Sequence, residues 1–243
     1  MRIIEFYPSD SPCSYIEGFR SSFRYFFIEE CEEYFYQGLL ERGYRRFGKY
    51  FFAPVCRDCD VCKTIRQNTF NFEFSKNHKR VFLKNQHIKI TLSRPSFSHE
   101  KLELYHRYHL FMHHKKGWNY QEASAEYYHD TFVSGYGDFG YELEYFFQDR
   151  LIAVGYVDIL KSAVSAIYFF YDHSFGYLSL GTLNILMQIK MAKERNIAYF
   201  YPGYWIKNHH SLGYKSRFQP FEILQNRPDI FDSTIYQLYE EKK

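Results

Sequence analysis

Residues 142–171 read ELEYFFQDRLIAVGYVDILKSAVSAIYFFY, and this stretch decides the architecture of the chain. Three segments rich in β-branched and aromatic residues, 142–147, 151–160 and 164–171, are separated only by Gln148-Asp149-Arg150 and by Lys161-Ser162. Connections that short are hairpin turns, so the segments are predicted to be antiparallel neighbours. Downstream, Leu183, Leu186, Met187, Ile189 and Met191 give residues 179–195 the broad apolar side of a helix, and residues 198–201 form a short strand. One residue breaks the pattern: Asp158 stands inside the apolar run LIAVGYVDIL. A carboxylate buried there needs a cation partner; otherwise it must end the strand in solvent.

Working outward, residues 29–42 place Cys31, Tyr34, Phe35, Gly38 and Leu39 at helical spacing, and Gly43 suits the left-handed position beyond a helix end. Residues 50–52 and 69–74 read as strands, with a cysteine loop hung between them. A second helix is predicted over 98–115, with Leu102, Leu104, Tyr105, Tyr108 and Phe111 inside and Gly117 at its end. His109 and His113 stand four apart on it, as two metal ligands would. No acid lies between them, so a hydrated basic face is the expectation. The chain has no Pro/Gly/Ser-rich linker and no repeat, so the lobes are separated by pattern: 1–95 with the cysteine loop, and 96–243 with the meander.

Thirty-one basic and 28 acidic residues leave a net charge of only +3, too balanced for a tail-type nucleic-acid binder. Any RNA contact must come from a local basic surface. An odd count of five cysteines and an N-terminus without an apolar segment argue against secretion and for the cytoplasm. Apolar runs fall far short of the roughly 20 residues that span a bilayer, so no membrane partner is expected. Aromatics make up 22% of residues. Most belong to the core, although each exposed ring that stacks on an unpaired base would contribute about 1–3 kcal/mol.

Cys56, Cys59 and Cys62 follow the C-x2-C-x2-C spacing that lets one loop present several sulfurs to Zn or to an iron–sulfur cluster. Reduced, unligated thiols satisfy the same spacing. Arg42, Arg45, Arg46 and Lys49 lie just ahead and suit phosphate or carboxylate.

These segments, with CSYI at 13–16 and PGYWIKNHHSLGYKSRFQPFEIL at 202–224, resemble the aminoacyl-tRNA-protein transferases of the N-degron pathway. FEFSKNHKRVFLKN at 72–85 and ELYHRYHLFMHH at 103–114 extend the resemblance from about residue 13 to 224. Length and cysteine pattern are closest to the bacterial leucyltransferase branch. The resemblance implies an α+β chain: an N-terminal cysteine-containing lobe packed on an acetyltransferase-like (GNAT-like) lobe with a mostly antiparallel sheet and flanking helices. It implies leucine transfer from leucyl-tRNA to proteins beginning with Asp or Glu, with arginyl-tRNA as the alternative donor. Departures include Ile16, where eukaryotic members carry a second cysteine, Phe47 and Pro202.

The turn entering helix 179–195 reads SLGT, a poor pyrophosphate cradle, which suits a donor other than acetyl-CoA. An aminoacyl ester is already activated, so positioning and oxyanion stabilisation suffice, and no covalent enzyme intermediate is required. Within that frame the expected site residues are Asp158 facing a substrate ammonium and Tyr204 and Tyr214 as hydroxyl donors. Arg45 and Arg46 would receive the acceptor's acidic side chain, and Lys207 and Lys215 would contact phosphate or carboxylate. Cys13 would complete a four-sulfur set with Cys56, Cys59 and Cys62. Two rival functions are a non-catalytic, metal-bearing RNA-binding module and a small-molecule acetyltransferase.

Overall fold

The computed structural model describes residues 1–240. The N-terminal part runs through β1 (Ile3–Phe6), the short ribbon β2 (Ser11–Pro12) and β3 (Arg20–Ser21), β4 (Phe23–Ile28), α1 (Glu33–Glu41), β5 (Arg45–Phe47) and β6 (Tyr50–Pro54). Four of these strands form an antiparallel sheet ordered β1-β4-β6-β5, which leaves β5 at an edge. Helix α1 starts at Glu33 rather than at residue 29. β4 stays paired through Ile28, opposite Ile3, so the chain must turn away before it can coil. Cys31 therefore precedes the helix, yet it packs against the same apolar cluster. Gly43 has φ +88°, and a Cβ there would lie 2.8 Å from Thr64 Oγ1, so the turn into β5 needs glycine.

The chain continues through β7 (Lys63–Asn68), α2 (Lys76–Lys84), β8 (Lys89–Ser93), α3 (His99–Lys116) and α4 (Ala125–Tyr128). Next come β9 (Gly140–Phe147), β10 (Arg150–Ile159), β11 (Ala163–Tyr171), α5 (Leu180–Glu194), β12 (Tyr199–Tyr201), β13 (Tyr204–Trp205), β14 (Glu222–Leu224) and β15 (Tyr236–Leu238). The larger sheet runs β15-β14-β7-β12-β11-β10-β9-β8, and β13 also pairs with β7. The expected meander is β9-β10-β11, turned at Gln148 and Asp149, both at positive φ as a tight hairpin demands. Helix α5 then supplies the crossover that makes β12 parallel to β11. This is the predicted α+β, acetyltransferase-like arrangement. Because β7 and β8 precede residue 96, the larger sheet draws strands from both sides of that point.

Residues 69–74 do not form the predicted strand. Asn68 Oδ1 accepts the amides of Phe70 and Asn71, and Thr69 Oγ1 donates to Ile197 O. These side-chain bonds make a turn that drops Phe72 into the core. The second predicted helix is α3: Ser98 Oγ accepts the Lys101 amide, and Gly117 takes φ +68° at the end. Among the described residues, no helix is long and apolar enough to cross a membrane.

Two apolar clusters fix how the parts meet. One packs α5 against β9–β12. The other joins Tyr36, Leu39 and Leu40 of α1 and Phe51 of β6 to Ala163 and Tyr201 of the larger sheet and to Phe139 and Leu160 at the ends of β9 and β10. That shared core holds the edge strand β5 over the β10–β12 end of the large sheet.

Candidate functional site

Successive strands of the large sheet put Asp158, Ser165 and Tyr201 in register, one beside the next across β10, β11 and β12. Consecutive arginines of β5 meet this row in different ways. The Arg46 guanidinium grips Asp158 with Nη2 to Oδ1 at 2.5 Å and Nε to Oδ2 at 3.0 Å, and its Nη1 donates to Gly48 O and Gly135 O. Burial alone would lower the Arg46 pKa; the charge and hydrogen bonding of Asp158, with Tyr36, together outweigh it and raise it. The partner that Asp158 requires is therefore Arg46, not a substrate ammonium, and neither group is left free for substrate. Both are at most 5% exposed.

Arg45 is buried just as deeply, and among the described residues no carboxylate meets it. Its Nη1 approaches Ser165 Oγ at 3.4 Å, and the guanidinium lies 5.7 Å from the Tyr201 ring centroid and 5.6 Å from that of Tyr204. Among the described residues, Nε and Nη2 find no acceptor. Lys215 enters the same space from a short helical turn, buried, with Nζ donating to Tyr204 O at 2.7 Å. Burial, then the charge of Arg45, brings the Lys215 pKa down to about 7. Gly203, at φ +96°, makes room: a Cβ there would lie 3.0 Å from Lys215 Nζ. Two buried cations that repel each other, with unfilled donors and no acid beside them among the described residues, cost stability in the free protein. A carboxylate between them would satisfy both, since a guanidinium fork matches its geometry.

Tyr204 helps to build this cage by its ring, not by its hydroxyl. The hydroxyl is committed to Gly43 O at 2.8 Å, with Phe52 O at 3.2 Å, so it is not the free donor that the sequence suggests. Tyr214 stands at the rim, 39% exposed. Lys207 lies outside the cage, on a concavity of about 330 Å³ shared with Trp205, His209, His210, Tyr214 and Arg217. On α3, His109 is not on a hydrated face: its Nε2 meets the Tyr168 hydroxyl at 2.7 Å, while His113 and His114 are exposed. Sequence reading missed Ser165, Tyr201 and Gly203. Ser165 left a trace, a small polar residue inside the apolar run AVSAIYFF.

The cysteine loop is held by protein contacts. Arg227 donates to Cys56 O at 2.7 Å and Cys59 O at 2.5 Å, and the Cys56 thiol bonds the Ser22 backbone. Cys13 Sγ instead accepts the Tyr15 amide. Burial, then the neighbouring thiols, pushes Cys62 up to about 12. Among the described residues, no group of three or more His, Cys, Asp or Glu is placed to hold a metal ion, and the thiols that act on Cys62 are those of Cys13, Cys59 and Cys56.

The mostly antiparallel large sheet is closed at one end by the basic and aromatic side chains of the cage, and comparison of the chain with known proteins gives its class. Residues 11–80 match the family described as "Arginine-tRNA-protein transferase, N terminus", and residues 100–225 match its C terminus. The chain belongs to the arginine-tRNA-protein transferase family. The aspartate/glutamate leucyltransferase of Helicobacter hepaticus is 52% identical to it, over 98% of this chain and 99% of that protein. The enzyme of the same name from Campylobacter jejuni is 40% identical over 96% and 97%. That of Pseudomonas putida is 34% identical over 79% and 80%. Solved structures overlay less closely: FemX gives a TM-score of 0.49 at 10% identity, over 75% of this chain and 64% of that one.

Proposed function

We propose that the chain transfers leucine from leucyl-tRNA to the α-amine of proteins that begin with Asp or Glu, marking them for degradation. The observation that carries this reading is the 52% identity to an aspartate/glutamate leucyltransferase over nearly the full length of both chains. The acceptor's side-chain carboxylate occupies the cage between Arg45 and Lys215, so the acidic residue is read by two buried cations. Its α-amine attacks the aminoacyl ester carbonyl. A C–N bond forms, and the ester C–O bond to the terminal ribose breaks. The amine loses a proton, and the ribose oxygen takes one up. Positioning two substrates carries most of the rate, because the ester is already activated.

The cage sets a pH dependence. Lys215 titrates near pH 7 in the free protein, and a bound carboxylate raises it, so acceptor binding takes up a proton above that pH. The acceptor KM should rise as pH climbs past about 7, by at most tenfold per unit. The attacking α-amine, with a pKa of about 7.7–8.0, loses its proton over the same range, so kcat rises. Initial rates with an Asp-initiated peptide should therefore give opposing trends in KM and kcat. An acceptor KM that does not change between pH 6.5 and 8.5 would contradict the assignment of Lys215.

Transfer itself is tested with radiolabelled leucyl-tRNA and a peptide bearing N-terminal Asp, with arginyl-tRNA in a parallel arm. Labelled peptide from the leucyl donor is the expected result. Labelling from the arginyl donor alone would replace leucine by arginine, and labelling from neither would overturn the reading.

A further inference from the structure

With a net charge of only +3, a positive face must come from stretches that lack acids. No Asp or Glu occurs in 104–121 or in 195–221, while the first holds three Lys and Arg residues and the second four. These two stretches meet in space. The last turn of α3 carries His113, His114, Lys115 and Lys116, all exposed, and Lys116 Nζ reaches Ser211 Oγ at 3.4 Å. Across that contact lie exposed Lys207, His210 and Arg217, around the concavity beside Trp205 and Tyr214.

His209 adds a donor without a charge. Its Nδ1 accepts the amides of Ser211 and Leu212, each at 3.2 Å, so the ring proton sits on Nε2, which finds no acceptor among the described residues. Burial, then the charge of His210, keeps its pKa below the usual histidine value. A third acid-free stretch, 74–99, reaches the same loop where the His78 ring stacks on Phe218, with centroids 5.7 Å apart.

We propose that the face formed by the C-terminal turn of α3 and residues 207–217 binds the phosphate backbone of the tRNA acceptor arm, which delivers the 3′ end beside the acceptor held in the Arg45–Lys215 cage. This rests on the transfer reading above. A polyanion fits this face because exposed cations dominate it, acids are absent from both elements, and the loop that bears Lys207 and Arg217 also bears Lys215. Phosphate contacts position the donor and carry no base specificity.

The test measures binding of deacylated leucine tRNA to the intact protein at several salt concentrations, with no transfer involved. Lys115→Gln/Lys207→Gln removes one exposed cation from each element. Two lost phosphate contacts should flatten the slope of log affinity against log salt by about 1.4–1.8 and weaken binding about tenfold or more at low salt. The KM for leucyl-tRNA should rise in parallel. Lys161→Gln/Lys190→Gln, on the β10–β11 turn and on α5, serves as the matched control. Unchanged affinity and slope in the first pair would overturn the proposal, as would a loss confined to Lys76→Gln/Lys79→Gln on α2. Steep, variant-sensitive tRNA binding without leucine transfer would leave this surface standing while the transfer reading fell.

Discussion

Replacing Arg45 by Met should lower kcat/KM for an Asp-initiated peptide about a hundredfold and leave the KM for leucyl-tRNA unchanged. The guanidinium brings two nitrogens, Nε and Nη2, that no group among the described residues uses, and each charge-assisted bond to a carboxylate contributes about 1.5–3 kcal/mol, with every 1.4 kcal/mol a factor of ten. Lys215→Met should produce a loss of similar size. In neither variant should the melting temperature fall sharply, because removing one of two repelling buried cations relieves a cost. Both variants keep apolar bulk in the cage, so packing loss is small. Steady-state kinetics against each substrate, with thermal melts, decide the matter. A loss of stability equal to the loss of activity would make these residues structural.

Asp158→Asn should do the reverse. It leaves the Arg46 guanidinium buried without its counter-charge, and breaking one side of such a pair costs about 3–5 kcal/mol. For a chain of this size the melting temperature should fall by about 10 °C. The double variant Arg46→Met/Asp158→Asn should recover part of the loss, since the orphaned charge is gone. Thermal melts of the three proteins give the cycle. If Asp158→Asn melts like the parent but cannot transfer leucine, Asp158 acts on substrate and the pairing is not its role.

The meander was legible because its information is local: alternating apolar residues, two short turns and a long amphipathic helix fix antiparallel strands and a crossover. The two arginines mark the limit. Arg45 and Arg46 are adjacent and chemically identical in sequence, yet one is consumed by Asp158 and the other stays open. The distinction arises from pairing across 112 residues, in a register that only the closed fold defines. That Asp158 needs a cation is legible in its apolar strand, but the partner is Arg46 and not the substrate ammonium expected there. Helix α2 was missed because, with no fully buried side chain, it carries little core stripe. It is held instead by reciprocal bonds between Ser75 and His78 and by the apolar contacts of Val81 and Phe82. Residues 69–74 were misread because aromatic content suggests a strand when side-chain bonds from Asn68 and Thr69 dictate a turn.

The central claim is that a buried pair of cations reads the acceptor's side-chain charge. It is tested most directly by comparing two peptides that differ only at the N-terminus, Asp against the isosteric Asn, in leucine transfer catalysed by the wild-type protein and by Arg45→Met. The cage predicts a preference for Asp of about a hundredfold in kcat/KM for the wild type, collapsing toward unity in the variant. Equal rates for the two peptides in the wild type, or a preference that survives Arg45→Met undiminished, would contradict it.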